Sequence, residues 1–135
     1  ALLDAVPAAK NLADGGGTCG NAIFASLKPG TRLHPHCGPT NTRLTMHLGV
    51  VVPEGCGIRV GTEVRGWQRG KCLVFDDSWE HEVWNEGESE RIVLLVNFWH
   101  PDLPPSRWAE TAEELHEGFL DLYRRRVSLG LPCRA

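Results

Sequence analysis

His34-Pro35-His36-Cys37-Gly38-Pro39-Thr40-Asn41-Thr42-Arg43-Leu44-Thr45-Met46-His47-Leu48-Gly49-Val50-Val51-Val52 is the stretch whose reading decides the fold. From Thr42 to Val52, Leu44, Met46, Leu48 and Val50 alternate with Arg43, Thr45, His47 and Gly49. A period of two is the signature of a strand with two unlike faces. The apolar face is expected to enter a core, and Arg43, Thr45 and His47 to face something polar. Just upstream, Thr31–Pro35 reads as a short strand delivering His36.

The stretch has a counterpart far along the chain. Phe75-Asp76-Asp77-Ser78-Trp79-Glu80-His81-Glu82-Val83-Trp84-Asn85 carries a second histidine into another strand, and Arg91 follows ten residues after His81. Two imidazoles on distant strands with a cation just beyond suggest a mononuclear metal. A His-x-carboxylate…His set holds non-haem Fe(II) on one face and leaves positions open for oxygen and co-substrate. Here the carboxylate position is Gly38. Either histidine alone reads as a satisfied core residue; the pair, with Arg91 at the start of an apolar strand, points to a site. A guanidinium in a cavity suits a co-substrate carboxylate because it binds both oxygens at once.

The rest of the chain reads as turns and short strands. Residues 1–10 suggest a helix ending before Asp14-Gly15-Gly16-Gly17, and Asn21–Leu27 a strand closed by the turn signal Pro29-Gly30. Ile58–Val60 and Glu63–Arg65 form a hairpin around Gly61, Cys72–Phe75 a buried strand, and Arg91–Trp99 a strand with Ile92, Leu94, Val96 and Phe98 on one face. Ser106 or Thr111 caps a terminal helix over about residues 106–128, with Leu115, Phe119, Leu122 and Tyr123 on one stripe. Such an order predicts a mainly β, double-stranded β-helix (a cupin-like jelly roll) whose inner face holds a small ligand, with a C-terminal helix.

Composition narrows the classes. A length of 135 residues gives one domain, with a core over about 20–103, and 41% hydrophobic with 23% charged residues is ordinary for a globular protein. A formal charge of −3 gives no footprint for nucleic acid. No run approaches the roughly 18 apolar residues that cross a bilayer, so this domain is expected to make no membrane contact. Five cysteines without CxxC spacing argue against a disulfide framework or a structural zinc site. The chain begins at Ala1 and is compatible with being a piece of a longer protein. The compartment is not legible in the sequence: endoplasmic-reticulum lumen is expected for a piece of an anchored animal protein, cytoplasm for a microbial one. The oligomeric state is not legible.

The strings HPHCGPTNTRLTMHLGVVVPEGC (34–56), KCLVFDDSWEHEVWN (71–85) and RIVLLVNFWHPDL (91–103) resemble the aspartyl/asparaginyl β-hydroxylase family. The resemblance runs from about Ala22 to Leu103. It implies an Fe(II)- and 2-oxoglutarate-dependent oxygenase in which His36 and His81 hold the metal and glycine stands at the usual carboxylate position. By the same matching, Asp77 accepts a hydrogen bond from a metal-bound water, Arg91 binds the distal carboxylate of 2-oxoglutarate, and His47 hydrogen-bonds that co-substrate. Two positions depart from the family pattern. A co-substrate serine is Ala25 here, with Ser26 out of phase, and an arginine is Thr45; Arg43, on the same strand face, is the candidate to compensate.

The implied reaction hydroxylates the β-carbon of an Asp or Asn residue in a peptide or protein, EGF-like modules among them. Ala25 and Thr45 keep open an oxygenase acting on a free amino acid or other small molecule, and a non-catalytic binding module. A zinc cupin using His34, His36 and His81 is a further alternative. Among the tryptophans, Trp79 and Trp84, which flank His81 in sequence, are the two candidates to line the pocket.

Overall fold

The computed structural model describes residues 5–14 and 20–128. Helix α1 (Pro7–Asp14) precedes strands β1 (Ala22–Leu27), β2 (Thr31–His36), β3 (Arg43–Val51), β4 (Cys56–Val60), β5 (Glu63–Arg65), β6 (Cys72–Phe75), β7 (His81–Asn85) and β8 (Arg91–Trp99). A 3-10 turn at Pro105–Arg107 leads into helix α2 (Trp108–Ser128). The strands form two antiparallel four-stranded sheets, in the orders β1-β8-β3-β6 and β2-β7-β4-β5. This is the mainly β jelly roll with a C-terminal helix that the strand pattern predicts.

The register places the histidines. In the first sheet β3 lies between β8 and β6, with His47 opposite Leu95 on one side and Leu73 on the other. In the second, β7 joins β2 to β4, and His36 is the direct cross-strand partner of His81. An irregularity between Leu33 and His36 shifts that register, and such a bulge re-aims the side chains beyond it.

The alternation in β3 is real, but the face assignment inverts. Arg43, Thr45, His47 and Gly49 are buried between the sheets, while Leu44, Met46, Leu48 and Val50 lie half-buried on the outside. In β8, Arg91, Val93, Asn97 and Trp99 are buried and Ile92, Leu94 and Phe98 only half so. Leu27, Ile58, Trp67, Val83 and Val93 form one apolar cluster in the interior, and Trp99 joins a second with Leu12 of α1. Elsewhere the interior holds polar groups, so the apolar side chains of β3 are left to the outer face. There Met46 sits beside Val96 and Val74, and Leu48 beside Leu94 and Cys72.

Other boundaries also move. Helix α1 runs through Asp14, later than expected; residues 1–4 and Gly15-Gly16-Gly17 lie outside the described residues. The strand Cys72–Phe75 is an edge strand with Cys72 and Val74 exposed, not a buried one. Neither Ser106 nor Thr111 caps α2: Ser106 belongs to the 3-10 turn, and Thr111 is buried within the helix. On the expected stripe only Leu115 packs, joining the cluster around Leu12 and Trp99, whereas Phe119 and Leu122 are exposed. Tyr123 falls outside the described side chains. Cys37, Cys56 and Cys72 are free; Cys19 and Cys133 lie outside the described residues.

Candidate metal centre

His36 and His81 face each other across β2 and β7 with ring centroids 4.2 Å apart. Each ring is held the same way. His36 Nδ1 lies 2.7 Å from the carbonyl oxygen of His34, and His81 Nδ1 2.9 Å from that of Trp79. A carbonyl only accepts, so Nδ1 carries a proton in both rings, which leaves Nε2 as the nitrogen that could hold a metal. Backbone carbonyls fix metal-binding histidines in this manner. His34 thus contributes its backbone and not its ring, which is exposed.

Gly38 shows why there is no acidic side chain at the third position. A Cβ at Gly38 would lie 2.6 Å from Cγ and 2.7 Å from Oδ2 of Asp77. The Asp77 carboxyl therefore fills the volume that a side chain at 38 would need. Asp77 Oδ2 accepts from Arg43 Nη2 at 3.0 Å, while Oδ1 is buried with no partner. Among the described residues, no group of three or more His, Cys, Asp or Glu side chains is placed to share a metal ion.

One cavity of about 200 Å³ joins these groups. Its walls bring together His36, His81, Asp77, Arg43, Thr45 and His47, with Leu33, Phe75, Leu95 and Asn97 between them. No hydrophobic plug separates the two imidazoles. Six of the seven residues singled out in the sequence share this cavity. Arg91, the seventh, does not line it; it is 3% exposed, and no carboxylate lies within ion-pair distance among the described residues. Its Nε and Nη1 have no hydrogen-bond partner, and its Cζ lies 4.7 Å over the ring of Trp67.

His47 lies between the two regions. Neither ring nitrogen has a partner. Burial, then the charge of Arg91, then that of His81 hold its pKa down at about 4, so it is neutral near pH 7. Burial likewise lowers the pKa of Arg91, which stays charged because guanidinium starts so high. A buried cation and several donors without acceptors are costly unless an anion completes them. The site fits a carboxylate ligand on that ground.

Several site residues have surroundings that the sequence does not announce. Thr45 is not free: its Oγ1 accepts from Asn97 Nδ2 at 2.8 Å, and Asn97 Oδ1 accepts from the Asn21 amide at 2.9 Å. Asn97 is a cavity residue, although its place on the apolar strand makes it a weak candidate in sequence. Arg43 faces the cavity, but its Nη2 is committed to Asp77. Ala25 is half-buried against the apolar cluster, with Ser26 exposed, as the phase of β1 requires. Trp79 and Trp84 do not line this cavity. Trp79 is 64% exposed beside β4 and β6, and Trp84 stacks under Arg32 at 5.0 Å. Trp67 is the tryptophan of the site. It follows Gly66 in a loop without strand periodicity, and the two flanking punctuation glycines, Gly66 and Gly70, are its only sequence signal.

Comparison with known proteins gives the family. The family described as aspartyl/asparaginyl beta-hydroxylase matches residues 2–101. The aspartyl/asparaginyl beta-hydroxylase of Mus musculus is 52% identical over 89 residues, covering 65% of this chain and 12% of that protein. Aspartate beta-hydroxylase domain-containing protein 2 of the same organism is 45% identical over 92 residues, covering 66% of this chain and 27% of that protein. The chain thus spans a small part of the curated relatives it matches. Among solved structures, a cupin domain of a transcriptional regulator from Enterobacter cloacae aligns with TM-score 0.52 at 10% identity, covering 60% of this chain and 82% of that one. A cupin protein from Bacteroides fragilis gives 0.51 at 13%, covering 63% and 70%. At such identities these two speak for the fold alone. The family match over most of the chain settles the membership: this chain belongs to the aspartyl/asparaginyl beta-hydroxylase family.

Proposed function

We propose that this chain is the catalytic domain of an Fe(II)- and 2-oxoglutarate-dependent hydroxylase that acts on the β-carbon of Asp or Asn residues in a peptide or protein. The observation that carries the reading is the His36–His81 pair, two imidazoles with Nδ1 tied to backbone carbonyls and ring centroids 4.2 Å apart at one cavity. Imidazole donors suit iron, and two of them leave several coordination positions for ligands. When bound, the metal and 2-oxoglutarate supply the oxidising chemistry: dioxygen is consumed, the keto acid becomes succinate and CO₂, and a C–H bond becomes C–OH. The chain's own residues do the rest. Arg91 would hold the distal carboxylate, His47 would hydrogen-bond the co-substrate, Asp77 Oδ1 would accept a hydrogen bond from a water beside the metal, and the apolar cluster would keep bulk water out.

One observation favours a second reading on the same scaffold. Thr45 and Asn97 satisfy each other on the cavity wall, where the family resemblance implies a cation, and such a change of wall suits a different substrate, such as a free amino acid. Anaerobic addition of Fe(II) and then 2-oxoglutarate is expected to give the weak visible charge-transfer band of a chelated keto acid, absent in His81→Ala. Normal turnover by His81→Ala with iron bound overturns the ligand assignment. Succinate release stimulated by a disulfide-looped EGF-like peptide, but not by free amino acids, decides for the first reading; the reverse decides for the second. No succinate with any substrate, and no band, leaves a binding module.

A further inference from the structure

We infer that Trp67 is a positioning residue for the co-substrate, an indole plate that holds Arg91 and His47 in place and thereby selects a dicarboxylic keto acid over shorter chelators. The inference rests on the proposed reaction and concerns a residue to which nothing above assigns a role in it. Trp67 is 6% exposed and touches both groups: Arg91 Cζ lies 4.7 Å over its ring, and the His47 ring stacks on it at 5.9 Å with an interplanar angle of 21°. Among the described residues the guanidinium has no ion pair to fix its plane. The indole face takes that part, since a desolvated cation over an aromatic ring is attracted by the ring quadrupole. The buried Trp67 Nε1 also lacks a partner.

The plate is seated by a glycine. Gly49 lies two residues past His47 on the same buried face of β3. Its amide donates to Lys71 O at 3.0 Å, and its carbonyl accepts from the Gly70 amide at 2.8 Å, so the loop carrying Trp67 is pinned to β3. A Cβ at Gly49 would lie 2.5 Å from Gln68 O, which is backbone and cannot swing aside. Glycine at 49 therefore lets the loop approach closely enough for Trp67 to reach His47 and Arg91.

Oxalate provides the contrast, because it chelates a metal through its two carboxylates and carries no further carboxylate for Arg91. The experiment measures binding of 2-oxoglutarate and of oxalate to the anaerobic Fe(II)-loaded chain, for wild type, Trp67→Leu, Trp67→Phe and Gly49→Ala. Trp67→Leu is expected to weaken 2-oxoglutarate about tenfold and oxalate by less than about twofold, with Trp67→Phe within about threefold of wild type because an aromatic face remains. Gly49→Ala is expected to follow Trp67→Leu, and carries the test if the leucine variant does not fold. Equal loss of both ligands, or no loss of either, overturns the plate; so does Trp67→Phe losing as much as Trp67→Leu. A wild-type chain that binds oxalate but not 2-oxoglutarate overturns the proposed co-substrate instead, so the two failures are distinguishable.

Discussion

Gly38 and Asp77 share one volume: a Cβ on the first would lie 2.6 Å from Cγ of the second, and the Gly38 amide donates to Asp77 O at 2.6 Å. The carboxylate missing from the His36-Cys37-Gly38 string has thus been displaced along the chain to a neighbouring position. From there it salt-bridges Arg43 and keeps one oxygen buried without a partner.

This relationship predicts non-additive mutations. Gly38→Ala should cost about 2 kcal/mol by overpacking against Asp77. Asp77→Ala should cost about 3 kcal/mol, because it removes one partner of a buried ion pair. The double variant should be more stable than the sum by at least about 1 kcal/mol, since the clash disappears with the carboxyl. Urea unfolding of the four proteins measures the coupling, and additive losses would show that the two side chains do not compete.

Arg91 predicts opposite signs for stability and binding. In the metal-free chain its buried charge has no carboxylate partner among the described residues, so Arg91→Met, of similar length, should leave stability unchanged or raise it by about 1 kcal/mol. In the metal-loaded chain, 2-oxoglutarate at a hundred times its Kd should stabilise wild type by about 2.7 kcal/mol and the variant hardly at all. Thermal unfolding with and without co-substrate reads both. A large loss of stability in metal-free Arg91→Met would mark the cation as structural.

Much of this was legible in the chain, for physical reasons that also explain the misses. The strand ends at His81, Asn85, Arg91 and Trp99 follow from a period of two bounded by turn residues, and the histidine pair follows from placing two such strands in one jelly roll. The faces of β3 do not follow. Burial is usually read from apolarity, and here the functional interior is the polar face. Trp79 and Trp84 lie beside His81 in sequence, yet Trp79 is in the preceding loop and Trp84, three residues on, is on the other face of β7. Trp67 lies fourteen residues before His81 in an aperiodic loop, and its place depends on the hydrogen bonds at Gly49, which no local pattern announces.

His47 predicts an acid-sensitive step. Its pKa is about 4 in the folded chain against the ordinary 6.5, so the unfolded chain binds the extra proton first. The stabilisation from keeping this ring neutral is fully present above pH 6.5 and is lost as pH falls toward 4, amounting to about 3 kcal/mol at most. His47→Asn should flatten the dependence of the urea midpoint between pH 7 and 4.5 in the metal-free chain. An unchanged slope would place the titration elsewhere.

Thr45 makes the last prediction, and it separates a wall from a binder. Its hydroxyl accepts from Asn97 Nδ2 at 2.8 Å, and both residues are buried. Thr45→Val keeps the shape of the side chain but strands the Asn97 amide, which should cost about 1–2 kcal/mol. If the hydroxyl only closes the wall, 2-oxoglutarate affinity should stay within about threefold of wild type, because a single neutral hydrogen bond to the ligand would have been worth about 1 kcal/mol. A tenfold loss of affinity would instead make Thr45 a direct ligand of the co-substrate, taking over on this strand the place where the family resemblance implies arginine. Arg43 offers no relief in that case, since its Nη2 already serves Asp77. Titrating 2-oxoglutarate into the anaerobic Fe(II) complex of both proteins distinguishes the two outcomes.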